Sequence, residues 1–441
     1  MVCCYSFRSL HFNQLGRDYF SHIRRIVVLR HGPQGLESGS ELPCAYAYIN
    51  QDLPYMAGQI LDVVSYGGAK GDGTTDDTAA FAACINQTNS LYSSGIDSVI
   101  NIPEGQFYIN GSTLPTFTCA GAIVGQGVSK SMIKVGTSYR GDVFSWSDAW
   151  LANSMSTDNT ISTPSTWKAG PIAKDFMIYG DRSSTNKVNG LCFYDHTEHA
   201  YIQNVNCHYL PGRALYFGAA KNDTNSYFRE SHIRDFRSFH SGATGVPVVE
   251  FTSSGTDDAC NAIVIDGCDI YAPYGTGFLL NNNCTTPGIR DLRINKLRVE
   301  GYESNPHKVA ADLVQIGTTS STGEIWDVLF CQVTLLNQYV NYAALRFDSL
   351  NENTQPYFIT LHQGYVGGGS AAGYGLIINS GAYLSLQFLD LHALQTCVTV
   401  GPSPKTGANI IIDGGGIEAG WTTSIDPSAS TFVLKPTRQT F

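Results

Sequence analysis

One repeating pattern constrains this chain more than anything else in it. An apolar residue is followed by others three, five and eight positions on, and the set recurs from about residue 170 to the C-terminus. Ile202, Val205, Cys207 and Leu210 fit it, as do Phe228, Ser231, Ile233 and Phe236. So do the sets starting at Ala262, Ile289, Ile325, Phe358, Tyr383 and, loosely, Asn409, with a weaker start at Ala173. Successive starts lie 25 to 36 residues apart. Within each set, apolar and polar residues alternate, which is the period of a strand rather than of a helix. Second strands such as Arg213-Ala-Leu-Tyr-Phe217 and Ala344-Leu-Arg-Phe347 fall between the sets. One such unit cannot bury its inner face alone, so units of this kind stack and share a continuous core. The expected fold is all-β: a right-handed parallel β-helix.

Composition agrees with strands and turns. Only 15% of residues are charged, whereas Gly (45), Tyr (24) and Phe (21) are abundant. The 12 cysteines form no zinc-like spacing, so they read as reduced core residues and no metal is expected. A net charge of −10 argues against nucleic acid as a partner. No apolar run approaches the ~18 residues of a membrane span, and the N-terminus lacks the form of a signal peptide.

A second signal lies upstream, in Asp62-Val-Val-Ser-Tyr-Gly-Gly-Ala-Lys-Gly-Asp-Gly-Thr-Thr-Asp-Asp-Thr-Ala-Ala-Phe-Ala-Ala-Cys84. It reads as a short strand, a glycine-rich turn and a helix start, with Phe81 and Ile85 on one helix face. This stretch, with Ile102-Pro-Glu-Gly-Gln-Phe-Tyr-Ile109, resembles the start of the pectate-lyase-like right-handed β-helix family, which includes many phage tailspike depolymerases. The resemblance implies a short capping α-helix over the first coil, turn and cap roles for Asp72, Asp76 and Asp77, and a carbohydrate-active protein. The Asn-Thr-Asp, Gly-His-Gly and Arg-Ile-Lys motifs of the pectin polygalacturonase branch are absent. The expected organisation is an N-terminal extension (1–58), a strand and capping helix (59–95), and the β-helix with a glycan groove (96–441).

Stacked strands place equivalent residues ~4.8 Å apart in neighbouring coils. Laying the sets over one another predicts an outward strip of ionisable residues on the coils starting at Ile202, Phe228, Ala262 and Ile289. Glu230 and Asp266 fall on adjacent coils two positions apart, roughly 8 Å between α-carbons, within reach of either glycosidase geometry. The predicted catalytic residues are Glu230 and Asp266, with Asp269 and His232. Substrate contacts are expected from His208, Tyr209, Arg234, Asp235, Asp291, Arg293 and Lys296. The expected activity is hydrolysis of glycosidic bonds in a bacterial surface or exopolysaccharide, without a cofactor. One alternative is a polysaccharide lyase using His208, His232, Arg234, Arg293 or Lys296 as base or carboxylate neutraliser. A non-catalytic glycan-binding spike is another. The resemblance also implies an extracellular or virion-associated protein and a homotrimer, although no C-terminal trimerisation segment is legible.

Overall fold

The computed structural model describes residues 58–111, 113–147, 170–194, 196–218, 227–255, 260–284, 288–301, 311–337, 342–350, 354, 356–367, 373–381, 383–392 and the strands beyond to residue 440. The predicted extension up to residue 57 lies outside the described residues. The fold is a parallel β-helix, built on one 20-stranded and one 10-stranded sheet in which neighbouring named strands pair in parallel. No helix among the described residues is long and apolar enough to cross a membrane.

The larger sheet carries the long strands Cys260–Tyr271, Ile289–Glu300, Ile325–Leu336 and Tyr357–Gly367. Each bends twice, at residues with positive φ: Ala262 and Gly267, Asp291 and Lys296, Asp327 and Gln332, Phe358 and Gln363. These residues stack from coil to coil, so each coil presents three short flat segments divided by two corners. Inside, Trp146, Phe193, Phe217 and Phe251 form a ring ladder with centroids 4.7, 5.0 and 4.6 Å apart. Such ladders follow from the ~4.8 Å rung spacing. Cys192, Cys207, Cys260 and Cys268 are buried free thiols in this core, as their apolar settings suggested.

The N-terminal end is closed by the helix Thr78–Ser93. Phe81 is fully buried and meets Phe107 edge-on at 5.8 Å and Phe144 at 6.1 Å. Asp76 Oδ1 accepts the Thr78 amide at 3.0 Å. Asp77 holds the turn instead of its own helix, accepting the amides of Lys70 (2.6 Å) and Gly71 (3.1 Å). Gly67 has no room for a side chain, since a β-carbon there would stand 2.7 Å from the carbonyl oxygens of Val63 and Ala80.

The coil register differs from the expected one. Ile202 pairs with Ile233, not with Phe228, and Phe228 pairs with Cys260, not with Ala262. Val328 pairs with Ile359, which moves the Phe358 and Tyr383 sets by two residues. The segments of one coil share the same alternation, so a set can be laid on the wrong segment without breaking the apolar pattern. In the true register Arg234 faces Asp266 and Glu230 aligns with Ala262. Glu230 and Asp266 are then one rung and four residues apart, about 14 Å between α-carbons, and do not form the predicted pair.

Candidate functional site

The predicted site residues fall on separate strips. Glu230 and Asp291 sit at the first corner. His232, Arg234, Asp266 and Arg293 lie on the flat segment beyond it. Asp235 and Lys296 occupy the second corner, and His208 and Asp269 the segment after that. Several carboxylates already have partners: Glu230 with His199 (3.4 Å), Asp235 with Arg234 (3.6 Å), Asp266 with Lys296 (3.8 Å) and Asp269 with Arg237 (3.4 Å). His232 meets the Tyr201 ring edge-on at 6.2 Å.

A groove of about 900 Å³ opens along the first corner, lined by Asn261, Arg290, Asp291, Trp326, Asp327, Phe358, Thr360 and Tyr383 among others. It runs parallel to the solenoid axis, because its corner residues come from four successive coils. Asp291 aligns with Asp327 between the pairs Arg290–Trp326 and Leu292–Val328. Phe358 follows on the next coil and Tyr383 on the one after. Asp291 and Asp327 are exposed, and among the described residues neither makes an ion pair or hydrogen bond. Their α-carbons are one rung, ~4.8 Å, apart. Two like charges this close, neither in an ion pair among the described residues, repel each other and add nothing to the fold.

The aromatic part of the groove is equally unexpected for a purely structural surface. Trp326, Phe358 and Tyr383 are 37%, 42% and 40% exposed. Trp326 stacks on Phe358 at 6.1 Å, and Phe358 on Tyr383 at 5.0 Å. Phe358 (φ 51°) and Tyr383 (φ 53°) both adopt the left-handed conformation, which costs a non-glycine residue roughly 1–2 kcal/mol and which asparagine tolerates better. Sequence reasoning treated both as inward residues; the two-residue register shift turns them out to solvent. Replacing Phe358 by Asn should therefore change stability by less than about 1 kcal/mol, because relief of strain offsets lost ring contact. The same change should weaken glycan binding about fivefold, which calorimetry on one preparation can compare with the thermal midpoint.

A smaller cleft of about 250 Å³ lies on the third segment, lined by His208, Arg237, Phe239, Asp269, Tyr271, Arg298 and Glu300. Glu300, 2% exposed, is held by Arg298. Asp269 and Glu300 are one rung and two residues apart, about 8 Å between α-carbons, the separation expected for Glu230 and Asp266. Both are committed to arginines, however. Burial, and next the neighbouring His240, holds the His208 pKa below the usual histidine range. Burial likewise lowers that of His240, with Arg182 adding to it. Below about pH 6.5 the unfolded chain takes up protons on these histidines that the folded chain does not. Stability should therefore fall as the pH drops through and below that value. The slope of the thermal midpoint against pH should flatten in His208→Gln.

Among the described residues no three His, Cys, Asp or Glu side chains are arranged to hold a metal ion. Among the residues that sequence reasoning left out of the site are Asp327, Phe358, Tyr383, Arg237, Arg298 and Glu300. Asp327 was legible as an outward aspartate. The two rings had no sequence signal that separated them from core residues.

The family model for rhamnogalacturonase A/epimerase, pectate lyase-like, matches residues 60–301. The chain belongs to this pectate-lyase-like family. Among solved structures it is similar to a hyperthermoactive exopolygalacturonase from Thermotoga maritima, at 10% identity and a TM-score of 0.53 over 86% of this chain and 91% of that one. It is also similar to ORF18 of Geobacillus virus E2, at 14% identity and a TM-score of 0.47, with 82% of this chain and 66% of the viral protein covered. The enzymatically active domain of tailspike protein 2 of bacteriophage CBA120 matches at 10% identity and a TM-score of 0.49, covering 84% of this chain and 52% of that one. At these identities the likeness concerns the fold. No curated protein sequence matches the chain.

Proposed function

We propose that the chain is a polysaccharide depolymerase that holds an extended glycan in the first-corner groove and hydrolyses it between Asp291 and Asp327. The observation that carries this reading is the juxtaposition, on four successive coils, of two unpartnered carboxylates and a strip of solvent-facing rings. Rings offer flat apolar faces to pyranoses, and the polar groups between them, among them Asn261, Thr360 and Ser385, can meet the sugar hydroxyls. One carboxyl protonates the glycosidic oxygen while the other attacks the anomeric carbon. With α-carbons one rung, ~4.8 Å, apart, the two aspartates can bring their carboxyls to the ~5–5.5 Å separation of retaining enzymes. Water then releases the glycosyl group with the first carboxylate acting as base. Thr360 and Ser385 can hydrogen-bond sugar hydroxyls, and Arg290 borders the carboxylates.

The test is incubation of purified protein with a panel of capsular and exopolysaccharides. New reducing ends without an ultraviolet signal from unsaturated sugars support hydrolysis. Unsaturated ends would establish elimination instead, and binding with no new ends would establish a glycan-binding protein that does not cut.

A further inference from the structure

A second pocket of about 700 Å³ lies near the capped end of the solenoid, lined by Tyr108, Lys134, Tyr179, Asp181, Arg182 and Tyr209 among others. It is not a continuation of the groove. Tyr179 stands four rungs from the coil of Asp291, on the order of 19 Å along the axis, and on the third segment rather than at the first corner.

Its lining is ordered by the same rung spacing. Lys134 pairs in register with Tyr108 on one side and Tyr179 on the other, so a cation stands between two rings in one outward column. Its Nζ lies 5.6 Å from the Tyr108 ring centre and 3.4 Å from the carbonyl oxygen of Gly73. The guanidinium of Arg182 lies 3.8 Å over the Tyr274 ring, and its Nη1 donates to the carbonyl oxygens of Leu210 (3.0 Å) and Gly242 (2.5 Å). Tyr209 packs at 5.1 Å from Tyr179 and is another bulky residue held with positive φ, at 58°. Among the described residues neither Lys134 nor Arg182 has a carboxylate partner. The carboxylate of the pocket, Asp181, is already engaged through Oδ1 by the amide (2.8 Å) and hydroxyl (2.7 Å) of Ser183. In a chain of net charge −10, two cations against one carboxylate leave this ring-lined pocket with a local excess of positive charge, which suits an anion. Ammonium and guanidinium groups bind carboxylates through charge-assisted hydrogen bonds, while the tyrosine faces suit a sugar ring.

We infer that this pocket is a second saccharide subsite, taking a sugar that carries a carboxylate, with Lys134 and Arg182 as its anion contacts and Tyr108 and Tyr179 as its ring contacts. The inference rests on the depolymerase reading for the kind of ligand, but its binding site is separate from the carboxylate pair. A polysaccharide that contains an acidic sugar would thus be gripped away from the groove where it is cut.

The experiment is calorimetric titration of the full chain with hexasaccharides of polygalacturonate, alginate and hyaluronan, each beside its carboxyl-reduced form. The Asp291→Asn/Asp327→Asn variant serves as host, so that no ligand is consumed. At least one acidic hexamer should bind, its reduced form about tenfold more weakly, and its affinity should fall as salt is raised from 0.05 to 0.5 M, by roughly the loss expected for an exposed ionic contact. Lys134→Gln should cost about tenfold, Lys134→Arg should restore most of it, and the thermal midpoint should move little, because Lys134 is exposed and its hydrogen bond to Gly73 is long. The subsite is overturned if none of the acidic hexamers binds, if reduced and acidic forms bind alike, or if Lys134→Gln binds as the host does. Absence of cleavage by the unsubstituted chain, with this binding intact, would overturn the depolymerase reading alone.

Discussion

If the groove hydrolyses glycan as proposed, Asp327→Asn should lower the rate of cleavage about a thousandfold, the middle of the range for losing a positioned acid or base, and leave glycan binding within about twofold. Asp291→Asn behaves the same way, and the double variant is little worse than either single one, because the two carboxyls act as one unit. The physical basis is that neither side chain supports the fold: both are exposed and among the described residues neither is hydrogen-bonded, so an amide of the same shape changes charge and chemistry alone. Glu230→Gln and Asp266→Asn are the contrast. Glu230 is tied to His199 and Asp266 to Lys296 on other strips of the coil, and each variant keeps most of the activity. Initial rates on a confirmed substrate, with the thermal midpoint as control, decide the matter. Full activity in both aspartate variants would remove the site from this groove.

Phe81→Asp destabilises the N-terminal coils by more than about 4 kcal/mol. Removing a buried phenylalanine ring costs about 3–5 kcal/mol, and a carboxylate in its place has no partner among Phe107, Phe144 and the surrounding core. The coils are coupled through shared faces, so loss of the cap exposes the next coil in turn. Chemical unfolding and proteolysis should show an early transition confined to the first coils, and Phe81→Leu should recover most of the loss. By contrast, Asp76→Asn leaves activity intact. Its Oδ1 accepts from Thr78 and from the Asn110 amide, and an amide oxygen can accept those bonds at a modest cost in stability.

The division between what was legible and what was not follows from these residues. The alternation in sets such as Ile202–Leu210 and the glycine-rich turn before Phe81 were sufficient for the solenoid, its parallel strands and its capping helix, because burial and backbone freedom are local demands on residue type. Free thiols in the core were legible for the same reason. Some of the residues singled out from the sequence also line the clefts: Asp291 is in the groove, while His208 and Asp269 share the smaller cleft. The pairing was not visible. Alternation repeats on every flat segment of a coil, so laying Ile202 against Phe228 satisfied the apolar pattern as well as laying it against Ile233.

By itself the sequence determined that this chain coils into stacked parallel strands around one apolar core, closed at its beginning by a helix. Only the tertiary structure decided which coil positions stand side by side, and hence that Asp291 meets Asp327 whereas Glu230 stands far from Asp266. The register rests on where the left-handed corners fall. Those corners are occupied here by Asp291, Asp327, Phe358 and Tyr383, residue types that announce neither a turn nor a solvent-facing ring until the neighbouring coils are in place.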